Sequence, residues 1–232
     1  MYKNIEIVNK INHKENSLKE IKDFSYAKNL MSAPITVAEF FEACKNYPIF
    51  FAKDKNDNWF ASVMLGFKEN TNIFVDEKGN WDKLHYVPAF VRRYPFVFIE
   101  QDNKEELLLA FDKEYLSTNK KDESRKLFDD KGENSEFLNN ALAFLNQFHN
   151  DSIATKEFVK QLDTWELLEE KTATVITPNK EQFNIGGLYI VNEEKLKHLS
   201  KKKKDEINDK NAIPLITAHL ISLSNIQKLG MK

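Results

Sequence analysis

Apolar and polar positions follow two different patterns along this chain. Residues 48–111 contain short apolar runs separated by polar turns, which indicates strands, whereas residues 134–232 show the three- and four-residue spacing of helices. The sequence therefore predicts an α+β fold, in which an antiparallel sheet built from a meander and hairpins is covered by helices from the C-terminal half. No Gly, Ser or Pro-rich linker divides the chain. We expect one domain over residues 1–232, with a sheet-rich part at about 34–112 and the helix-rich part following it.

The first predicted helix begins at a capping box formed by Thr36-Val37-Ala38-Glu39 and ends near Tyr47-Pro48. Four residues share one face of this helix: Val37, Phe40, Phe41 and Cys44. Three apolar runs follow it, PIFFAK, WFASVMLGF and NIFV, and they predict an antiparallel meander. The stretch Asp76–Asn80, with its glycine, predicts a tight turn leading into Trp81.

The stretch Phe90–Glu100 has the alternation of a strand. One face carries Phe90, Arg92, Tyr94, Phe96 and Phe98, and the other carries Val91, Arg93, Val97 and Ile99. Both faces are largely apolar, which is typical of a central strand covered on both sides, with Pro95 breaking one ladder bond or marking a bulge. We expect Gln101–Lys104 to turn the chain and ELLLAFDKE to return as the partner strand.

The second half is predicted to be mostly helical. One apolar stripe, behind a cap at Asn134 or Ser135, consists of Phe137, Ala141, Phe144, Leu145 and Phe148. A second stripe consists of Phe158, Leu162 and Trp165, and the HNDSIAT segment between the stripes predicts the turn of an antiparallel helix pair. TATVIT and GGLYIV are predicted strands. Asn192 is expected to cap a helix through Leu199, and an amphipathic C-terminal helix is predicted from Leu215, Ile216, Leu220, Leu223 and Ile226.

Composition narrows the class of protein. The 34 basic residues nearly balance the 36 acidic residues, so we expect no non-specific binding to nucleic acid. The single cysteine, Cys44, allows neither an intramolecular disulfide nor a multi-cysteine zinc site. The N-terminal MYKNIEIVNKIN lacks the apolar region of a secretory signal, and no stretch approaches the roughly 18 apolar residues of a membrane span. We therefore expect a cytoplasmic protein without a membrane span.

The run from Asn72 to Phe96 contains IFVD, GNWD and YVPAFVRRYPF, and it resembles the signature of the SapC family, named for a surface-layer-associated gene product of Campylobacter. Further similar stretches are AEFFEACKNYPIFF, KLFDDKGENSEFLNNALAFL, GGLYIVNEEKLKHL and ITAHLISLSNIQKL, so the resemblance covers nearly the whole chain. It implies an association with S-layer biology or with genes for surface and uptake proteins. The family has no established active site, so the resemblance assigns no catalytic residue.

Arg92 and Arg93 are the leading candidates for a binding role, because an arginine fork can hold a carboxylate or phosphate by two parallel hydrogen bonds. The structural alternative is that one arginine stacks on Tyr94 or Phe96 and pairs with an internal acid. Three acids could serve: Glu39, Asp76 and Glu193. Since adjacent strand positions send side chains to opposite faces, we expect at most one of the two arginines to face a ligand.

The remaining candidates carry weaker signals. The five histidines are His13, His85, His149, His198 and His219, and no spacing among them places two metal ligands on one face. His219 fits a hydrogen-bonded core histidine better than a catalytic one, and Cys44 fits a buried inert thiol. We predict no metal site and no cofactor. The candidate binding residues are Arg92, Arg93, Tyr94, Trp81, Tyr86, Glu39, His219 and His13.

Two functional hypotheses follow. The first is a non-enzymatic accessory protein of cell-surface or S-layer biology, which binds a protein or peptide partner through the aromatic and arginine-rich surface. The alternative is a cytoplasmic enzyme acting on a peptide or small acidic substrate, with Arg92 or Arg93 holding an anion and His13, Glu39 or His219 serving as acid, base or metal ligand. A self-associating structural subunit is a third interpretation.

Overall fold

The computed structural model describes residues 1–100, 106–117 and 119–231, and it has the predicted α+β fold. The strands are β1 (Ile5–Ile7), β2 (Ser17–Leu18), β3 (Ser32–Pro34), β4 (Ile49–Lys53), β5 (Trp59–Met64), β6 (Phe96–Glu100), β7 (Leu107–Asp112), β8 (Leu116–Ser117), β9 (Leu168–Ile176) and β10 (Gln182–Val191). The α-helices are α1 (Lys10–His13), α2 (Phe40–Ala43), α3 (Ala89–Arg92), α4 (Glu136–Thr164), α5 (Glu193–Lys197), α6 (Lys201–Asp209), α7 (Ile213–Ser222) and α8 (Asn225–Leu229). Short 3-10 turns cover Ser25–Ala27, Val37–Glu39, Lys113–Tyr115 and Lys120–Arg125.

Two antiparallel sheets organise the molecule. The larger has the order β3-β5-β4-β10-β9, the smaller has the order β1-β7-β6, and β2 pairs with β8 separately. The hairpins β4–β5, β6–β7 and β9–β10 occur as predicted, although the turn at Gln101–Lys104 lies outside the described residues. The prediction of a third meander strand, at NIFV, is wrong. Asn72 Oδ1 accepts a hydrogen bond from the Phe74 N–H (3.0 Å), so this side chain replaces ladder bonding in the NIFV run.

The helix-start and turn signals near the N-terminus are correct. Glu39 Oε2 accepts from the Thr36 N–H at 2.9 Å, as the capping box requires, although the first turn is 3-10 and α2 ends at Ala43, before Tyr47. Phe41 is 53% exposed, so it does not share the buried face of Phe40. The tight turn at Asp76–Asn80 closes through the Asp76 N–H and the Asn80 C=O (2.9 Å), with the glycine at φ +84°.

The predicted strand over Phe90–Glu100 is wrong in its first half. Residues 89–92 form α3, the Tyr94–Pro95 peptide bond is cis, and only β6 is extended. A helical start is favoured because Pro88 precedes α3 and the Ala89 N–H donates to Glu39 Oε1 (2.7 Å). β6 is also an edge strand and not a central one. Because successive residues of a helix project about 100° apart, Arg92 and Arg93 are not forced to opposite faces.

The predicted antiparallel helix pair is one continuous helix, α4, of 29 residues. Ser135 caps it by accepting from the Leu138 N–H (3.1 Å). The HNDSIAT segment is helical, and the hydroxyls of Ser152 and Thr155 donate to backbone carbonyls four residues earlier, at 2.7 Å and 2.6 Å, so these side chains are satisfied within the helix and do not form a turn. α4 joins the two parts of the core: its N-terminal half packs against the smaller sheet and its C-terminal half packs with the larger one.

The remaining helices lie close to the positions that the sequence predicts. Asn192 caps α5 by accepting from the Lys195 N–H (2.8 Å), although α5 ends at Lys197 and not at Leu199. The run of lysines starts α6, and the C-terminal helix is divided into α7 and α8. Across residues 1–100, 106–117 and 119–231, none of the helices has both the length and the apolar content to cross a bilayer.

Candidate functional site

A cleft of about 300 Å³ opens between α3, the N-terminal half of α4 and the segment after β2. Its apolar wall contains Leu18, Ile21, Phe96, Phe137, Ala141 and Phe144. Its polar wall contains Lys19, Glu20, Arg92, Arg93, Arg125 and Asn140. Both adjacent arginines therefore reach the same cleft, contrary to the sequence expectation that their side chains diverge. We call this space the arginine cleft.

All three arginines of the protein line the arginine cleft. The chain has 34 basic residues, of which only Arg92, Arg93 and Arg125 are arginines. Lysine supplies positive charge everywhere else, so charge alone does not account for arginine at these positions. Arginine differs from lysine in its planar fork of donors and in its ability to stack on aromatic rings. The concentration of arginine in one cleft indicates a site that uses those two properties.

Arg92 is held by aromatic rings and by neutral acceptors. Its guanidinium carbon lies 5.5 Å from the ring centre of Tyr86 and 5.3 Å from that of Phe144. Its Nε donates to the Val87 carbonyl (3.0 Å), and its Nη2 donates to the Tyr86 hydroxyl (2.9 Å). No carboxylate among the described residues lies within 4.0 Å of this guanidinium. The side chain is fixed in place while its charge is left without a direct counterion in that part of the chain.

Arg93 lies closer to an aromatic ring than Arg92 does. Its guanidinium carbon lies 4.3 Å from the ring centre of Phe90, 5.2 Å from that of Phe148 and 6.0 Å from that of Tyr2. Its Nε is buried and has no hydrogen-bond partner within the described structure, where it also lacks a carboxylate within 4.0 Å. A buried donor of this kind costs free energy unless a ligand or water satisfies it. Burial raises the pKa of the neighbouring Tyr2 to about 12, and the positive charge of Arg93 opposes that shift.

Arg125 enters the cleft from the 3-10 turn before α4. Its Nε donates to the Leu18 carbonyl (3.1 Å), and its Nη2 pairs with Asp122 (2.8 Å). Hydrogen bonds from Ser117 and then Arg125 lower the pKa of the Asp122 carboxyl. Lys19 donates to the backbone carbonyl of Glu114 (2.8 Å). Because that carbonyl is uncharged, the contact does not neutralise the charge of Lys19. With Glu20 as the acid of the polar wall, the described lining has a clear excess of positive charge.

Glu39 and Tyr86 support Arg92 from behind. Tyr86 donates its hydroxyl hydrogen to Glu39 Oε1 (3.0 Å) while accepting from Arg92. Burial, and then the charge of Glu39, raise the pKa of Tyr86 to about 12. Glu39 is 5% exposed, and it also accepts hydrogen bonds from Thr36 and from the backbone of Ala89. The carboxylate therefore reaches the arginine cleft only through the Tyr86 hydroxyl.

Tyr94 and Trp81 are core residues. Tyr94 is 6% exposed, stacks on Tyr26 with ring centres 4.1 Å apart, and donates to Asp112 (2.8 Å). Burial raises the pKa of Tyr94, and the hydrogen bond and charge of Asp112 add to that shift. Trp81 is 5% exposed and donates to the Tyr47 hydroxyl (3.2 Å). Tyr94 contributes to the wall of the arginine cleft, whereas Trp81 does not line it.

Neither candidate histidine lines the arginine cleft. His13 is 2% exposed; its Nδ1 accepts from the Asn9 N–H (2.9 Å), and its Nε2 lies 3.1 Å from Glu6 Oε1. His219 is fully buried beside Phe51, and its Nε2 accepts from the Val191 N–H (3.0 Å). Both are core residues with a hydrogen bond at one ring nitrogen or more, although the buried Nδ1 of His219 has no hydrogen-bond partner within the described structure. Within the described ranges, no group of three His, Cys, Asp or Glu side chains is arranged to hold a metal ion.

His219 should make the stability of the fold pH-dependent. Burial lowers its pKa from 6.5 to about 3, so the folded state keeps it neutral while the unfolded state binds a proton below pH 6.5. Its contribution is fully present above pH 6.5 and is lost as the pH falls towards 3. We expect the free energy of unfolding to decrease by about 2 kcal/mol more between pH 7 and pH 5 in the native protein than in His219→Gln. Urea titrations at both pH values measure this difference, and equal pH dependence would contradict it.

The arginine cleft has the features of a site for an amphipathic anion. The Nε of Arg93 has no partner within the described structure, and Arg92 and Arg125 each keep Nη donors beyond those already used, so the cleft can donate to a carboxylate while its apolar wall buries an attached hydrocarbon group. The sequence identified Arg92 and Arg93 but missed Arg125. The overlooked signal was the scarcity of arginine in a chain with many lysines. Three arginines in a chain that otherwise uses lysine are candidates for one shared site.

Comparison with known proteins gave one match. The SapC family model matches residues 8–229, a range that contains all the lining residues of the arginine cleft. Neither the curated proteins nor the solved structures gave a significant match to the chain. The assignment of a family therefore comes from the family model, and any function must be argued from the site itself.

Proposed function

We propose that this chain is a non-enzymatic accessory protein of cell-surface biology, and that it binds an acidic peptide segment of a protein partner. The chain belongs to the SapC family, whose name comes from a surface-layer-associated product. The segment binds in the arginine cleft. One observation carries this proposal: the three arginines of the protein line a single cleft with an apolar wall. Arginine and aromatic residues dominate the energetics of protein interfaces, and both are concentrated here.

The chemistry of the cleft favours a carboxylate over other ligand groups. Arg92, which is exposed, and Arg93, which is half-buried, have no carboxylate within 4.0 Å among the described residues, so a ligand carboxylate could pair with both without displacing an internal acid. It could also accept from the buried Nε of Arg93, which has no hydrogen-bond partner within the described structure. The apolar wall would bury an aliphatic side chain next to the acidic one, at roughly 25 cal/mol for each Å² of apolar surface removed from water.

The alternative enzymatic hypothesis has less support. It assigned the acid, base or metal ligand to His13, Glu39 or His219, and neither of these histidines lines the arginine cleft. Glu39 is also absent from the lining, and its oxygens already accept hydrogen bonds from Thr36, Tyr86 and Ala89. A binding role needs only the groups that the cleft presents.

Peptide binding provides the test. The probe is a fluorescein-labelled, N-acetylated and C-amidated peptide, Ala-Leu-Ala-Glu-Ala-Leu-Ala, and its control carries Gln in place of Glu. We expect the Glu peptide to bind about tenfold or more tightly than the Gln peptide, because a charge-assisted, bidentate pair adds on the order of 1.5–3 kcal/mol. Fluorescence anisotropy at low and at physiological salt measures both affinities. Equal binding of the two peptides, or no binding of either, would refute the proposal.

A further inference from the structure

A second cavity continues the arginine cleft along α4. It has a volume of about 210 Å³, and its lining includes Arg93, Phe98, Glu100, Phe148, His149 and Ser152. Arg93 lines both cavities, so they meet at the guanidinium held between Phe90 and Phe148. We call this space the glutamate cavity, because Glu100 is the acid that lines it in the described structure.

The two cavities are related by regular steps along α4 and β6. The α4 residues that line the arginine cleft are Phe137, Asn140, Ala141 and Phe144. Those that line the glutamate cavity are Leu145, Phe148, His149 and Ser152, each eight positions further on. Eight residues correspond to about 12 Å along a helix axis. Likewise β6 contributes Phe96 to the first cavity and Phe98 and Glu100 to the second. These three residues lie on one face of the strand, and Phe96 and Glu100 are about 13 Å apart along it.

The two cavities differ in charge. The arginine cleft has Arg92, Arg93 and Lys19 against Glu20, with Arg125 paired to Asp122, whereas the glutamate cavity has the shared Arg93 and the carboxylate of Glu100. Glu100 is exposed and has no cationic group within 4.0 Å among the described residues, including Arg93. His149 and Ser152 add polar groups to the same wall. The first cavity thus favours an anion, and the second leaves a carboxylate available for a cation.

We propose that the groove formed by both cavities binds an extended peptide in which an acidic residue and a basic residue are four positions apart. This inference rests on the proposed function, because the acidic residue is the one bound in the arginine cleft. The basic residue enters the glutamate cavity and pairs with Glu100. In an extended chain, four residues span about 13 Å and place both side chains on the same face, which matches the separation of the cavities. A separation of two residues would span only about 7 Å and would not reach.

Three capped, fluorescein-labelled peptides of nine residues test this inference. All three have a central Glu in an Ala/Leu background. The four-position peptide has Lys four residues to either side of Glu, and the two-position peptide has Lys two residues to either side. The third peptide has no Lys. Placing Lys on both sides makes the result independent of chain direction. We expect the four-position peptide to bind the native protein about three- to tenfold more tightly than the peptide without Lys, as for a partly exposed ion pair. The two-position peptide should show a smaller gain.

Protein variants separate the specific pair from general charge effects. Glu100→Gln should remove the difference between the four-position peptide and the peptide without Lys. Glu136→Gln, which removes an exposed acid at the start of α4 outside both cavities, should retain it. The inference is overturned if Lys gives no gain at four positions, or if the gain survives in Glu100→Gln. Binding of the peptide without Lys would still support the arginine cleft, whereas no binding of any peptide would refute both proposals.

Discussion

Replacing Glu39 with Ala should lower the free energy of unfolding by about 3–5 kcal/mol, because removal of a buried, hydrogen-bonded carboxylate leaves its donors without a partner. Four donors would lose their acceptor: the Thr36 N–H, the Thr36 hydroxyl, the Tyr86 hydroxyl and the Ala89 N–H. Two of these are backbone groups at the starts of separate helical segments. Glu39 therefore joins the capping box before α2 to the first turn of α3, which carries Arg92.

Chemical denaturation monitored by tryptophan fluorescence measures this loss. Glu42→Ala is the matched control, since Glu42 lies in the adjacent turn, pairs with Lys45 (2.7 Å) and has a side chain that is 59% exposed. An exposed pair of this kind contributes about 0–1 kcal/mol, so the control should remain close to the native protein. A loss below about 1 kcal/mol for Glu39→Ala would mean that the carboxylate does not hold the two segments together.

Replacing Arg93 with Met should weaken binding of the Glu peptide by a factor of about 30 or more, which is the usual effect of losing an interface hot spot. Arg93 lines both cavities, and its Nε is the buried donor that a ligand carboxylate can satisfy. Methionine is a long, flexible side chain, so it can fill the space between Phe90 and Phe148 while offering no donor. The expected loss is therefore in binding more than in packing.

Two further variants locate the cause of that loss. Arg93→Lys keeps the charge but removes the planar fork, so its affinity should lie between those of the native protein and Arg93→Met. Lys45→Met removes an exposed positive charge outside both cavities and should bind the peptide as the native protein does. Fluorescence anisotropy gives the affinities, and thermal melting checks that each variant is folded. Full binding by Arg93→Met would exclude this arginine from the site.

The sequence predicted the elements that depend on local signals. The capping box at Thr36, the turn at Asp76–Asn80 and the β9–β10 hairpin each require only neighbouring residues, and each is present. The prediction failed where a distant group decides the conformation. The alternation in Phe90–Glu100 favoured one long strand, but Glu39, some fifty positions earlier, fixes the first turn of α3 through the Ala89 N–H. No local pattern contains that contact.

The candidate site was predictable to a similar extent. The adjacent arginines stood out because guanidiniums within an apolar run require aromatic or acidic neighbours, and both are held by aromatic rings. Arg125 was missed because it lies more than thirty positions away and reaches the cleft only through the fold. The aromatic residues around the arginines were expected to form a surface, yet Trp81 is buried against Phe24 and Phe74, and its N–H donates to the Tyr47 hydroxyl.

The most direct test of the shared arginine site is NMR of the arginine side chains during titration with the Glu peptide. Since the protein has only three arginines, a ¹H–¹⁵N spectrum should contain three Nε–H signals, which single Arg→Lys variants can assign. The arginine cleft predicts that the signals of Arg92, Arg93 and Arg125 all shift with one common dissociation constant, and that the Gln peptide shifts them only at about tenfold or more higher concentration. Signals that stay unchanged when the Glu peptide binds would contradict a shared arginine site.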